Sequence, residues 1–365
     1  MKKHRLIAMS GGVDSSVAAL LSRKAGFPCV GVTLKLFSSP KEQPGSPRKG
    51  ACCSLADVED AKQVAHQLDM PFYVLNFSDA FAAGVIRKFV ETYEQGETPN
   101  PCIDCNRYIK FEGLLQRAQQ LTMEYLVTGH YARIEKQGSR WLLKKARDLK
   151  KDQSYVLYTM TQEQLAHTVF PLGELTKEEV RGIAGEAGLV NARKQESQDI
   201  CFVPDGDYAR FIEEYRGKPA APGNILDESG VFLGRHQGLI RYTIGQRRGL
   251  GLSFPEARYV VAKSKEDNTL TLGREGALYT KTLYADTLNF IAWDEPEKPR
   301  RLKVKTRYLQ AEQSATAVLL EADLLRVDFE SPQRALTPGQ AVVLYEGDLV
   351  LGGGTITRHN EKRER

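Results

Sequence analysis

Short apolar runs alternate with amphipathic stretches through the first 203 residues of the chain. Runs at 6–9, 30–35, 72–75 and 125–128 have the length and residue types of strands in a sheet covered on both faces. Apolar positions at helical spacing predict helices over 17–24, 55–68, 80–95, 108–121 and 177–187. This alternation implies an α/β fold: a Rossmann-like parallel sheet with helices on both faces. Ligands of such sheets sit beyond the carboxyl ends of the strands. Residues 10–16, the segment after Lys35, and Gly129-His130 all fall at those ends, so one crevice should contain them.

The pattern changes after Val203. One short helix is expected at 207–216, then a breaker-rich link at 219–223, then strand-like runs at 223–226, 259–262 and 269–272. From 280 onward, runs at 301–307, 315–320, 325–329, 341–345 and 350–356 recur at strand period with turn residues between them. Several short strands at regular spacing predict a small β-barrel. The expected domains are therefore 1–206, a mixed or β-rich central domain at 207–278, and a barrel at 279–365 that ends in a charged, frayed tail.

Two long loops interrupt the first domain. Residues 37–53 are rich in Pro, Ser and Lys and lead to Cys52-Cys53, with Ser54 as N-cap of the next helix and Asp57 at its third position. In residues 94–106 the prolines at 99 and 101 exclude regular structure around Asn100. Both loops are candidates to close over a site.

Composition narrows the class. The 365 residues are 41% hydrophobic and 27% charged, as in soluble globular proteins, and no apolar run is long enough to cross a bilayer. Met1-Lys2-Lys3-His4-Arg5 is basic, but strand and loop follow at once and leave no room for a signal peptide, so a cytoplasmic location is expected. The net charge of +5 permits a polyanionic partner without demanding one. All six cysteines (29, 52, 53, 102, 105 and 201) lie in the first 201 residues, a clustering that reads as chemistry or metal rather than a disulfide scaffold.

Ser10-Gly11-Gly12-Val13-Asp14-Ser15-Ser16 joins the first strand to the first helix. A glycine turn opening a helix aims backbone N–H groups at a phosphate, and the serines add hydroxyl donors. Kinase-type loops carry a Lys before the Ser/Thr to meet the outer phosphates, and here Asp14 stands in that place. An acidic residue suits Mg²⁺ carried by a departing pyrophosphate. The loop resembles the PP-loop of ATP pyrophosphatases, which adenylate a substrate oxygen; the bland alternative is an ordinary glycine turn.

Cys102 and Cys105 stand three apart at a helix start, where thiolate is favoured over thiol. Structural zinc would need a fourth ligand, and Cys52-Cys53 are adjacent and splay apart. With Cys201, three thiolates admit two sulfur chemistries. One cysteine can carry a persulfide that another resolves as a disulfide, or three can hold a [4Fe-4S] cluster whose fourth iron takes sulfide. Cys29 reads as buried packing. Lys144, Lys145, Arg147, Lys150 and Lys151, with Arg241, Arg247, Arg248 and residues 300–307, form a basic theme suited to phosphates.

Six further motifs are Thr98-Pro99-Asn100-Pro101-Cys102-Ile103-Asp104-Cys105-Asn106, Thr128-Gly129-His130-Tyr131, Lys151-Asp152-Gln153-Ser154-Tyr155, Ile200-Cys201-Phe202, Thr243-Ile244-Gly245-Gln246-Arg247 and Gly352-Gly353-Gly354. Together with the glycine loop they resemble the tRNA-specific 2-thiouridylases (MnmA/TrmU family) over essentially the whole chain. The resemblance implies ATP-dependent adenylation of the C2 oxygen of the wobble uridine in lysine, glutamate and glutamine tRNAs, then displacement of AMP by sulfur. By motif, Cys105 matches the nucleophilic cysteine and Cys201 the persulfide carrier, while Asn100, Pro101 and Cys102 match the segment meeting the target base. Ala8, Met9, Ser10, Gly11, Gly12, Val13, Asp14, Ser15, Leu34 and Gly129 match the ATP site. His130, Lys151, Asp152, Gln153, Arg307, Tyr308 and Gln340 match tRNA contacts. Many members have Asp where this chain has Cys102. The Cys-x-x-Cys form resembles the branch in which Cys102, Cys105 and Cys201 ligate a [4Fe-4S] cluster. The implied sulfur source is a cysteine desulfurase, a sulfur-relay protein or free sulfide.

The residue chemistry agrees with that expectation. A uridine C2 oxygen leaves poorly, so adenylation must precede attack by a thiolate or sulfide, with water excluded. Two other functions use fewer of these features. A PP-loop ligase acting on a small molecule needs neither the three cysteines nor two basic downstream domains. A non-enzymatic iron–sulfur or zinc RNA-binding protein needs no ATP loop.

Overall fold

The computed structural model describes residues 3–37, 55–195, 200–203, 205–293 and 298–358, so the expectations for the 37–53 loop, Cys52-Cys53 and the Ser54 cap lie outside it, Phe37 apart. The chain forms two compact units: 1–86 with 101–206 and 348–351, and 87–100 with 207–347 and 352–365.

The first unit is built on a five-stranded, wholly parallel sheet of β1 (Arg5–Ala8), β2 (Cys29–Lys35), β3 (Phe72–Asn76), β4 (Tyr125–Val127) and β7 (Thr168–Val169), in the order β3-β2-β1-β4-β7. The order reverses between β1 and β4, which makes their carboxyl ends the topological switch point where such sheets bind ligands. Helix α1 (Val13–Lys24) buries Val17, Ala18 and Ala19 completely. These small residues let α1, with α2 (Leu55–Gln67) and α8 (Lys177–Glu186), pack closely over Ile7 and Val127. Asp14 in the first turn of α1 and Arg23 and Lys24 in the last complement the helix dipole. Helix α8 starts on a capping box, Thr176 with Glu179, and α7 (Gln162–Ala166) starts on another, Thr161 with Gln164.

Two expected helices differ in detail. The 80–95 stretch comprises α3 (Ser78–Phe81), a π-helical segment Ala82–Ile86 and α4 (Arg87–Glu94). The helix expected from 108 begins at Pro101 as α5 (Pro101–Asp104), passes through a π-helical stretch Cys105–Leu114 and ends as α6 (Leu115–Gln120). Proline at a first helical position loses nothing, since that N–H has no partner within the helix. A hairpin that the pattern did not predict, β5 (Arg133–Gln137) and β6 (Arg140–Lys144), turns at Gly138 with φ +60°.

In the second unit, α9 (Tyr208–Arg216) precedes a four-stranded sheet of β8 (Gly223–Asp227), β9 (Phe232–His236), β10 (Tyr259–Ser264) and β11 (Thr269–Gly273), ordered β10-β11-β8-β9. Its core is Ile225, Tyr242, Leu250, Val260, Leu270 and Leu272. The remaining strands are β12 (Tyr279–Phe290), β13 (Arg300–Lys305), β14 (Gln313–Glu321), β15 (Leu324–Arg334), β16 (Ala341–Glu346) and β17 (Leu349–Thr357). They follow the order β12-β15-β14-β13-β16-β17, and β12 pairs with β17 to close an antiparallel barrel. Closure removes the exposed edges of an open sheet.

Candidate nucleotide and sulfur-transfer site

The glycine loop leaves β1 at Ala8 and enters α1 with Gly12 as its N-cap. Thr33 donates to the Met9 carbonyl at 2.6 Å, tying the strand end to β2. Within the loop, the Ser10 N–H donates to Ser15 Oγ at 3.1 Å, and the Ser15 and Ser16 hydroxyls both donate to the Gly12 carbonyl at 3.0 Å. Gly11 takes φ +73°, and a Cβ there would lie 2.2 Å from the Asp57 carbonyl oxygen. Only glycine meets both conditions. Gly129, at the end of β4, lies against the same loop: a Cβ on it would stand 2.7 Å from Asp14 C and Ser15 N. Thus the ATP residues expected from two separate stretches, 8–15 and Gly129, are brought into contact.

Asp14 carries partners that its sequence neighbourhood did not suggest. Lys177 Nζ donates to both of its carboxylate oxygens, at 2.7 and 2.9 Å, and the Tyr131 hydroxyl donates to one of them at 2.8 Å. The expectation placed Mg²⁺ on Asp14. Here an ammonium engages both oxygens, so no step is routed through a metal at this residue. Tyr131 stands in the Thr128–Tyr131 motif but was given no role of its own there, and Lys177 was missed because nothing in the linear order links α8 to the loop. Asn191 was missed for the same reason: its Nδ2 donates to the Gly11 carbonyl and to Ser16 Oγ, each at 2.9 Å.

Cys102 is exposed, and Cys105 and Cys201 are half-buried. Asn106, next to Cys105, is buried and donates to the Val156 carbonyl at 3.1 Å, which pins the start of the π-helical stretch. Beyond Cys201, Phe202 packs edge-on against Phe81 with ring centroids 5.7 Å apart. Among the described residues, no three His, Cys, Asp or Glu side chains are grouped to hold a metal ion. No step is derived through a [4Fe-4S] cluster. Cys29 is buried, as expected, and desolvation pushes its thiol pKa up against the pull of Arg5 and Arg23.

The expected tRNA residues have unequal surroundings. His130 is buried between Phe111 and Phe170 and shares a 2.7 Å hydrogen bond with Thr128 Oγ1. Burial, assisted by Lys110, holds its pKa well below 6.5, so the ring is neutral at physiological pH. Asp152 is also buried and accepts from the N–H groups of Ala146 and Ser154 and from the Ser154 hydroxyl. Gln153 accepts from the Tyr131 N–H at 2.9 Å. Asp152 and Gln153 thus order the turn that carries half-exposed Lys151. In the second unit, exposed Arg307 donates to the Ala335 carbonyl, with half-buried Tyr308 beside it. Gln340 Nε2 donates to the carbonyls of Thr98 and Pro99 at 2.8 and 3.2 Å, and the Thr98 N–H donates to the Pro338 carbonyl at 2.9 Å. The segment leading into Asn100 is thereby clamped by residues 338–340.

The chain matches three family profiles end to end. They are the tRNA methyl transferase HUP domain over residues 3–205, the tRNA methyl transferase PRC-barrel domain over 209–274 and the aminomethyltransferase beta-barrel domain over 280–356. The tRNA-specific 2-thiouridylase MnmA of Moorella thermoacetica is 52% identical over 353 residues, covering 96% of this chain and 98% of its own. This chain belongs to the MnmA family of tRNA-specific 2-thiouridylases. The family member of Symbiobacterium thermophilum is 50% identical over 361 residues, covering 98% of this chain and 92% of its own, and that of Acetivibrio thermocellus is 48% identical over 357 residues. The MnmA architecture, a parallel HUP sheet followed by a PRC-barrel segment and a closed antiparallel barrel, is the one described above. Among the described residues, no helix is long and apolar enough to cross a membrane.

Proposed function

We infer that this chain is an ATP-dependent tRNA 2-thiouridylase. The observation that carries the reading is kinship over nearly the full chain with enzymes of that name, joined to an intact phosphate loop at the switch point of the sheet. ATP enters as substrate with its own Mg²⁺, its phosphates facing the Ser10–Ser15 loop and the α1 N-terminus. The wobble uridine C2 oxygen attacks the α-phosphorus, pyrophosphate leaves, and C2 now bears an AMP leaving group. The terminal sulfur of a persulfide on Cys201 then attacks C2 and AMP departs, leaving a C2–S–S–Cys201 link. The Cys105 thiolate attacks Cys201 Sγ, which releases 2-thiouridine and forms a Cys105–Cys201 disulfide. An external thiol reduces the disulfide and a persulfide-bearing donor protein then passes its outer sulfur to Cys201, or free sulfide attacks the Cys105–Cys201 disulfide directly, giving the Cys201 persulfide and the Cys105 thiol. Asn100, Pro101 and Cys102 are assigned to the extruded base, and Lys151, Arg307 and Tyr308 to the RNA backbone. His130, Asp152, Gln153 and Gln340 are assigned to the support of those contacts. The chain divides functionally at 1–206, 207–278 and 279–365.

Incubation of tRNA transcripts with ATP, Mg²⁺ and a sulfide source tests the reading. AMP should appear only with tRNA and with oxygen-for-sulfur exchange at the wobble uridine. AMP formation independent of tRNA would transfer the chain to the small-molecule ligases.

A further inference from the structure

Asn191 is 4% exposed, and the hydrogen bonds its side chain makes are both donated to the phosphate loop, to the Gly11 carbonyl and to Ser16 Oγ. Its Oδ1 has no hydrogen-bond partner among the described residues. The amide orientation follows from chemistry: turned over, it would set an acceptor against the Gly11 carbonyl. What the loop takes from Asn191 is therefore its donor end.

That bond fixes a peptide plane. In a trans peptide the C=O and the following N–H point in opposite directions. Holding the Gly11 oxygen toward Asn191 turns the Gly12 N–H the other way, out of the protein side of the loop. The alternatives are closed by packing, since the Gly11 α-carbon lies against the Asp57 carbonyl and Ser16 Oγ, itself held by Asn191, donates to the Gly12 carbonyl. A glycine pair is flexible enough to flip without such a hold. Three residues on, Lys194 is bound to Asp57 and Asp60 of α2, both at 2.5 Å, so residues 191–194 are fastened to the loop and to the helix behind it.

We propose that Asn191 is a positioning residue of the adenylation step: it locks the Gly11–Gly12 peptide so that the Gly12 N–H is presented to the nucleotide's phosphates. The proposal rests on the reading of the loop as an ATP site given above. It assigns Asn191 to phosphate recognition alone, with no part in holding the adenosine.

Binding of three probes, ATP, inorganic pyrophosphate and adenosine, separates this role from a merely structural one. Asn191→Asp keeps the shape but replaces the donor with an acceptor, and Asn191→Ala removes both. Each should weaken ATP and pyrophosphate about tenfold or more, and adenosine less than about twofold. Equal losses for ATP and adenosine, or unchanged ATP binding in a folded variant, overturn the proposal. Hydrogen exchange on the wild-type protein keeps the test independent of variant folding. Pyrophosphate should protect the peptide containing Gly12, and unchanged exchange at saturation overturns the proposal. Failure of tRNA-dependent AMP formation with Gly12 still protected would instead strike the functional reading and leave Asn191 in place.

Discussion

Lys177 Nζ sits 2.7 and 2.9 Å from the two carboxylate oxygens of Asp14, although 163 residues separate the two in the chain. The loop lacks the lysine that kinase-type loops carry, and an ammonium nevertheless stands beside it, supplied by the first turn of α8. The Lys177 side chain is 11% exposed and that of Asp14 is 31% exposed, so the pair is shielded more than a surface bridge.

Lys177→Met should leave Asp14 with a single hydroxyl donor and lower the rate of pyrophosphate release at least about tenfold. Affinity for tRNA should be unchanged. A pyrophosphate-release rate equal to the wild type would remove Lys177 from the adenylation step.

The sulfur chemistry separates from activation. Cys105→Ser and Cys201→Ser should each lower 2-thiouridine formation by about 100-fold or more while ATP binding persists. Quantifying the modified nucleoside by mass spectrometry checks this, and substantial retained product in either variant excludes that thiol from the transfer. Cys102→Ser, in a persulfide route, should retain most activity.

Gly129→Ala should displace the Asp14–Ser15 backbone, because the new methyl would stand 2.7 Å from it. An increase in KM for ATP of about tenfold or more is expected. Gly182→Ala in α8 is the matched control: nothing lies within 4 Å of its new Cβ, and a helix interior gains about 1 kcal/mol from the change. Thermal denaturation and ATP titration of both variants decide the point.

Lys263 provides a pH-dependent readout in the second unit. It is buried and donates to the Leu239 and Tyr242 carbonyls. Burial and Arg358 bring its pKa from 10.5 down to about 8, against the pull of Glu97. Between those values the unfolded chain binds more protons than the folded one, so the contribution of Lys263 to stability rises with pH through the window and is least below it. The rise is on the order of 3 kcal/mol. Urea unfolding of the wild type and Lys263→Met at pH 7.5 and pH 10 should show the difference moving toward the wild type at the higher pH. A pH-independent difference refutes the assignment.

Local signals carried much of this molecule. The strand, glycine turn and helix at residues 6–24 were legible because apolar periodicity and turn chemistry agree there. The hairpin β5–β6 was not, since Arg-Ile-Glu-Lys-Gln has no alternation to mark a strand. The start of the cysteine-bearing helix was masked by prolines that exclude a helix interior yet suit a first turn, as Pro101 does. At the site, the motif residues were legible and their environments were not. His130 and Asp152 stand in motifs matched to RNA contact and prove to be buried, and Lys177 and Asn191 meet the loop by an ion pair and hydrogen bonds that span more than 160 residues of sequence. Sequence spacing holds no record of such approaches.

The grip of Pro338 and Gln340 on Thr98 and Pro99 bears on how this architecture can be inherited. A Cβ at Gly339 would lie 3.0 Å from the Thr98 backbone, so the two segments fit as mould and cast. The terminal barrel is consequently not a self-contained attachment. Exchanging it between relatives would leave the approach to Asn100 without its brace unless residues 94–100 travelled with it. On this geometry the two stretches would have to be exchanged together.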